Sequence, residues 1–220
     1  IVPVTLYNTG LGDLDFQVVD TQDDLRVAMY LYGASNTERI NVELIVNSMP
    51  NVTLVPINTN NASIFANGLI DADVLLLPES NSSIPTAIIP VIQNFCSNGG
   101  GLVHLHSRYN TYSQLGIFPV SGISSTFSSG TINNIAPTHP IMNGVPNSFN
   151  AQSSTMELSL LGNSATILAK RNSPSNDRGI VFTVPYGSGK GVFVGFDFFQ
   201  YNSEKSAILK QSMFFLSKTR

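Results

Sequence analysis

Two of the chain's three histidines stand one residue apart in the stretch GGGLVHLHSRYN, from Gly99 to Asn110. His104 and His106 would share one face of a strand, because side chains two positions apart point the same way. Ser107 follows directly, and its hydroxyl could act as a nucleophile if an imidazole activated it. Two imidazoles on one face could equally converge on a divalent metal ion. The stretch therefore predicts either an active site or the end of a buried strand.

Three further side chains stand where an apolar run or a loop ends. Glu79 closes the run in DVLLLPES, and Asp197 closes the run in GKGVFVGFD. Either carboxylate could orient a catalytic histidine. His139 precedes a proline in THPIMNGVP and could complete a three-imidazole metal site with His104 and His106, with Glu79 as a fourth ligand. A hydrogen-bonded core histidine and a turn-forming histidine are the alternatives, so we assign no cofactor to the chain.

The residues after the second histidine could bind a ligand. Arg108 could hold a carboxylate and Tyr109 could stack on a sugar ring. The elbow pattern G-x-S-x-G is absent around Ser107, so capping of the next helix is the competing role for this hydroxyl. We expect ligand contacts from Glu79, His104, His106, Arg108, Tyr109, His139 and Asp197.

Alternating periodicities predict the elements that position these residues. Apolar runs typical of buried strands, RVAMYLYG, VTLVPIN, DVLLLPES and GLVHL, alternate with helical patterns. In the first helix, Ile40, Leu44, Ile45 and Met49 are predicted to form the buried face. Short connections between such elements favour a parallel sheet with helices on both faces, and functional groups at the carboxyl ends of its strands. A hairpin turning at 186–190 and a helix from about Ser203 follow, whereas 120–164 shows weak strands at best.

Composition limits the class of protein and its partners. Hydrophobic residues make up 42% of the 220 residues and charged residues 11%, with a formal net charge of −3. This composition indicates a globular domain, and the scattered Lys and Arg residues favour no nucleic-acid partner. No apolar run reaches the roughly 18 residues of a membrane span, so we expect no transmembrane segment. The low charge and the many Asn, Ser and Thr residues favour a secreted or cell-surface location.

Three segments resemble one family in the right order. GGGLVHLHSRYNTY resembles the G-G-G-hydrophobic-x-x-x-H-S segment of the trehalose-utilisation (ThuA-like) proteins, which belong to the class I glutamine amidotransferase-like superfamily. HPIMNGVPNSF and VFTVPYGSGKGVFVGFD resemble two later segments of that family. The resemblance covers 26–218 and implies a three-layer α/β/α sandwich of flavodoxin-like type, with a mainly parallel sheet and an added C-terminal β-hairpin. We expect 25–220 to form this domain, and 1–24 to be a β-type linker or an edge strand from a neighbouring β-rich module.

The resemblance also places a cysteine nucleophile at or beside His106, where this chain has none. Its single cysteine, Cys96, lies on the preceding helix and is expected to be an inert buried thiol, so amidotransferase activity is excluded. Two functions stay open. One is a catalytically silent domain of a secreted or surface multidomain protein that binds a glycan or a protein, or assists assembly. The other is a ThuA-like enzyme acting on carbohydrates, in which His106, His139 and Glu79 converge within hydrogen-bonding reach.

Overall fold

The computed structural model of the protein describes residues 24–107, 110–172 and 176–217. Residues 1–23 of the predicted linker 1–24 and the candidate residues Arg108 and Tyr109 therefore lie outside the described residues. The strands are β1 (Leu25–Tyr30), β2 (Val52–Ile57), β3 (Val74–Leu77), β4 (Gly101–Leu105), β5 (Val120–Phe127), β6 (Gly130–Asn134), β7 (Ser148–Ala151), β8 (Thr155–Leu160), β9 (Thr166–Arg171), β10 (Arg178–Gly179), β11 (Val181–Tyr186) and β12 (Gly189–Val194). The helices are α1 (Asn36–Asn47), α2 (Ala62–Gly68), α3 (Ile89–Ser97), α4 (Thr111–Gln114) and α5 (Ser203–Leu216), with a 3₁₀ turn at Pro140–Met142.

Nine strands form one mixed sheet in the order β2-β1-β3-β4-β12-β11-β9-β6-β7. The pairings from β2 to β12 are parallel, as the apolar strand patterns predicted. Helices α1 and α5 contribute to the core on one face of these strands, and α2 and α3 pack on the other. The predicted α/β fold is therefore confirmed, including the hairpin of β11 and β12 and the final helix.

The sheet is not mainly parallel, because the four pairings beyond β12 are antiparallel. Strands β10, β8 and β5 form a second, antiparallel sheet. Most of the added strands come from the segment where the sequence predicted only weak ones. Strands β6 and β7 contain both buried and exposed positions, β5 contains only partly buried and exposed ones, and all three are rich in Ser, Thr or Asn. A strand with one face near solvent does not need the continuous apolar run by which the parallel strands are recognised.

Helix α1 buries a face that overlaps the predicted one only in part, because Ile45 and Met49 are buried as predicted. Ile40 and Leu44 are 49% and 57% exposed, so their assignment to the core was wrong. The buried face contains Val42, Ile45 and Val46. Two overlapping apolar stripes satisfy the helical period in this sequence, and only the packing of the helix on the sheet selects between them.

Candidate functional site

Polar side chains meet at the carboxyl ends of the parallel strands. Glu38 stands in the first turn of α1 after β1, and Glu79, His106 and Asp197 follow β3, β4 and β12. These four side chains are between 0% and 4% exposed. Because β2 and β3 lie on opposite sides of β1, the chain changes direction at this point of the sheet. Open α/β sheets bind ligands in the crevice that such a switch point leaves.

Two of these groups form a carboxyl pair. Burial, then a side-chain hydrogen bond with Glu79 and the charges of Glu79 and Asp197, raise the pKa of Glu38 well above its ordinary value of 4.5. Two carboxylates in contact cannot both be ionised at low cost, so Glu38 keeps its proton at a pH at which a free carboxyl is ionised. Glu38 stands three residues after Ser35, as in a capping box, but the Ser35 side chain makes no cap hydrogen bond, and its backbone N–H donates to the Glu79 carbonyl at 3.0 Å.

His106 lies between the carboxyl pair and a serine. Its Nδ1 is 3.4 Å from Glu79 Oε1, and its Nε2 is 3.4 Å from Ser154 Oγ. The predicted proximity of Glu79 and His106 is therefore observed. An imidazole with a carboxyl on one side and a hydroxyl on the other can pass a proton between them, because its two nitrogens exchange donor and acceptor roles.

The backbone brings Asp197 and Ser154 to this place. The Asp197 N–H donates to the Ser154 carbonyl at 3.0 Å, and the Met156 N–H donates to the Gly195 carbonyl at 2.7 Å. A Cβ on Gly195 would lie 2.1 Å from the Met156 carbonyl oxygen, so only glycine allows β8 to approach the end of β12 this closely. One carboxylate oxygen of Asp197, Oδ1, is buried without a hydrogen-bond partner among the described residues.

His104 belongs to a separate buried network. Its Nδ1 is 2.6 Å from the Leu105 carbonyl, and its Nε2 is 2.8 Å from Thr111 Oγ1. Burial lowers the pKa of His104 to about 4, so its ring is neutral at neutral pH. Thr111 Oγ1 also lies 2.7 Å from Ser107 Oγ, which separates this hydroxyl from the imidazole. The N-cap of α4 is Asn110, so Ser107 does not cap that helix.

This arrangement disfavours Ser107 as a nucleophile. A base with a pKa of about 4 takes up protons poorly near neutral pH. Among the described residues, positive φ occurs outside glycine only at Asn51 and Asn110, so neither His106 nor Ser107 has the strained backbone of a nucleophile elbow. Cys96 is buried, and this burial raises the pKa of its thiol to about 12, as expected for an inert residue.

His139 does not join the site. Its ring centre lies 4.8 Å from that of Phe215, near the C-terminal end of α5, and its Nδ1 accepts from the Ile141 N–H at 3.2 Å. Burial and the charge of Lys190 lower its pKa. Lys190 is paired with Gly101, where β12 and β4 begin, so His139 is at the opposite end of the sheet from His106. The predicted convergence of His139 with Glu79 and His106 was therefore wrong.

The three histidines do not assemble a metal centre. Both ring nitrogens of His104 have protein partners, and His139 is remote. No group of three His, Cys, Asp or Glu side chains in the described ranges is arranged to hold a metal ion. Likewise, no helix in these ranges is both long and apolar enough to cross a membrane.

Two residues of the site were missed in the sequence, namely Glu38 and Lys205. Lys205 is a fully buried lysine in the first turn of α5. Each stands one turn before the buried apolar face of its helix: Glu38 precedes Val42 by four residues, and Lys205 precedes Ile208 by three. The sequence did contain a signal for these two residues: each is a charged residue that continues the apolar stripe of its helix towards the N-terminus. Using this signal requires that the correct stripe be identified first.

Comparison with known proteins relates the chain to others by fold. No family model matches it, and none of the curated proteins matches it. A solved putative ThuA-like protein from Parabacteroides merdae is 13% identical, with a TM-score of 0.66 over 90% of this chain and 92% of that chain. A putative GMP synthase protein from Thermoplasma acidophilum is 12% identical, with a TM-score of 0.61 over 87% of this chain and 94% of that one.

A β-galactosidase from Bacillus circulans contains a domain of similar fold within a longer chain. It is 10% identical, with a TM-score of 0.56 over 89% of this chain but only 31% of that chain. At these identities the comparisons establish shared architecture, and function must be argued from the site itself. This protein thus has the fold of the ThuA-like and glutamine amidotransferase-like proteins, as the order of its three sequence segments predicted.

Proposed function

We propose that this chain is an enzyme domain that performs acid–base proton transfer on a carbohydrate or a similar polyhydroxylated carbonyl compound. The observation that carries the proposal is the buried Glu38–Glu79 carboxyl pair with His106 Nδ1 at 3.4 Å from Glu79 Oε1. A protonated Glu38 beside the Glu79 carboxyl and an imidazole supplies a donor and an acceptor in one place, which is what general acid–base catalysis requires. Titratable groups shifted by burial and by a specific partner are typical of functional sites.

The site chemistry favours a neutral, hydroxyl-rich ligand. Carboxyl, imidazole and hydroxyl groups accept hydrogen bonds from sugar hydroxyls, and Asp197 Oδ1 offers a buried acceptor without a partner among the described residues. The carboxyl pair does not suit glycoside cleavage, because the two carboxyl groups of a glycosidase stand about 5 to 9.5 Å apart on either side of the bond. Glu38 and Glu79 instead contact each other. Proton transfer at a carbon beside a carbonyl, as in aldose–ketose isomerisation, is the reaction that fits.

A second candidate is a catalytically silent binding or assembly domain. The near-complete burial of Glu38, Glu79, His106 and Asp197 favours it, because a ligand would have to open the site. In this proposal the domain belongs to a secreted or cell-surface multidomain protein with adjacent β-rich modules, and its ligand is a glycan or a protein. The fold occurs as part of a longer chain in the β-galactosidase, which is consistent with such a role.

Deuterium exchange distinguishes the two functions. The protein is incubated in D₂O with a panel of aldoses and ketoses, and ¹H NMR follows the signal of the C–H beside the carbonyl. The enzyme proposal expects loss of this signal with the native protein and with Glu43→Gln, a control on the outer side of α1, but not with Glu79→Gln. Sugar binding by calorimetry without exchange would overturn the enzyme proposal in favour of the silent domain. Neither exchange nor binding to any sugar would overturn both carbohydrate roles.

A further inference from the structure

Lys205 is a charged residue in a buried position, which is unfavourable for an ammonium group. Its side chain is fully buried, and the residue stands in the first turn of α5, three residues after the N-cap Asn202. Taking an ammonium group out of water is energetically costly unless it is well paired. The partial positive charge at the N-terminus of a helix adds a repulsive interaction. Desolvation lowers the pKa of Lys205 to about 8, although the charges of Asp197 and Glu38 act in the opposite direction.

The ammonium group binds neutral oxygen atoms from two segments. Lys205 Nζ donates to Ser153 Oγ, to the Gln200 carbonyl at 3.1 Å and to the Asp197 carbonyl at 3.3 Å. Ser153 Oγ also lies 3.3 Å from the Asp197 carbonyl and 3.2 Å from the Gln200 carbonyl. The Phe196 ring is beside the same ammonium group, at 5.5 Å. Lys205 therefore ties the segment between β7 and β8 to the turn that follows β12.

These two segments carry the groups that face the imidazole and the carboxyl pair. Ser154, adjacent to Ser153, places its Oγ 3.4 Å from His106 Nε2, and its carbonyl accepts from the Asp197 N–H. Asp197 supplies the third carboxylate of the site. We propose that Lys205 is a positioning residue, which holds Ser154 against His106 and Asp197 beside the Glu38–Glu79 pair by hydrogen-bonding the two segments that carry them. Its contribution to catalysis or ligand binding rests on the proposed function, whereas its effect on His106 does not.

The imidazole of His106 reports the proposed positioning directly. With three histidines in the chain, long-range ¹H–¹⁵N NMR can resolve each ring, and His106→Gln assigns the relevant signals. We expect Lys205→Met to shift the His106 nitrogen resonances and to leave those of His139 in place. The matched control is Lys210→Met, which removes a partly exposed lysine from the same helix and should shift none of them. Mutation of residues that orient metal ligands commonly lowers affinity or activity by about 10- to 100-fold, and we expect a loss of similar size in the exchange or binding assay.

The outcomes separate this proposal from the proposed function. Shifted His106 signals in a Lys205→Met protein, with no sugar activity in the native chain, would support the positioning role and overturn the proposed function. Unchanged His106 signals in folded Lys205→Met would overturn the positioning role, whether or not the native protein binds a sugar or catalyses exchange. If Lys205→Met does not fold, Ser153→Ala removes one oxygen partner of the ammonium and tests the same contact. A smaller His106 shift in that variant supports the proposal, and no shift overturns it.

Discussion

The raised pKa of Glu38 should appear in the pH dependence of stability. In the unfolded chain Glu38 ionises near its ordinary pKa of 4.5, whereas in the folded protein its pKa lies well above that value. The folded state therefore binds more protons above pH 4.5, and its free energy of unfolding falls as the pH rises. For one proton the slope is about 1.4 kcal/mol per pH unit, and it applies from about pH 5 up to the folded pKa. Below pH 4.5 the contribution is fully present.

Glu38→Gln keeps the shape of the protonated side chain and removes its titration. The measurement is urea unfolding of the native protein and Glu38→Gln at half-unit steps from pH 5 to pH 8. The difference between their unfolding free energies should change by about 1.4 kcal/mol per pH unit and then level off at the folded pKa. Subtraction cancels groups common to both proteins, including His104. Glu43→Gln is the control and should show no such slope. Parallel curves for the native protein and Glu38→Gln would refute the raised pKa of Glu38.

Three further predictions concern the groups around the site. The pKa of His104 is about 4 in the folded protein and 6.5 ordinarily. The contribution of His104 to the free energy of unfolding is therefore fully present above pH 6.5 and falls by about 3 kcal/mol towards pH 4. A His104→Gln protein with the same pH profile as the native protein would contradict this. Thr111→Val leaves His104 Nε2 without its hydroxyl partner and should cost about 1 to 3 kcal/mol in urea unfolding, and an unchanged midpoint would show that this hydrogen bond contributes nothing. Cys96 should resist iodoacetamide at pH 8 until the protein unfolds, since its pKa is about 12, and rapid native labelling counts against a buried thiol.

The sequence predicted well where an element is buried on both faces. The runs that became β1, β3 and β4 are continuous and apolar, so their strand identity needed no tertiary context. Glu79 and His106 were identified as site residues by the same logic, because each follows such a run. Predictions failed where the local pattern allowed two solutions. Helix α1 has two overlapping apolar stripes, and of the residues predicted to be buried, Ile45 and Met49 are buried whereas Ile40 and Leu44 face solvent.

Long-range placement could not be predicted from local pattern. His139 occupies a loop that could have folded over either end of the sheet, and its packing on Phe215 placed it at the far end. Strand β5 resembles a polar loop in sequence because Ser, Gly and Thr separate its three apolar residues Val120, Ile123 and Phe127, and only pairing with β8 shows it to be a strand. Lys205 was passed over because a lysine in a first helical turn is normally solvated.

The amino-acid sequence by itself determined the parallel strands, the helices between them and the polar groups at the strand ends, because hydrophobic periodicity and chain connectivity are local properties. The tertiary structure decided which polar groups meet. It brought Glu38 to Glu79, placed His106 beside them and placed the Lys205 ammonium against Ser153, next to Ser154. These contacts join residues far apart in the chain, and their energies depend on burial and on partners that no local pattern contains.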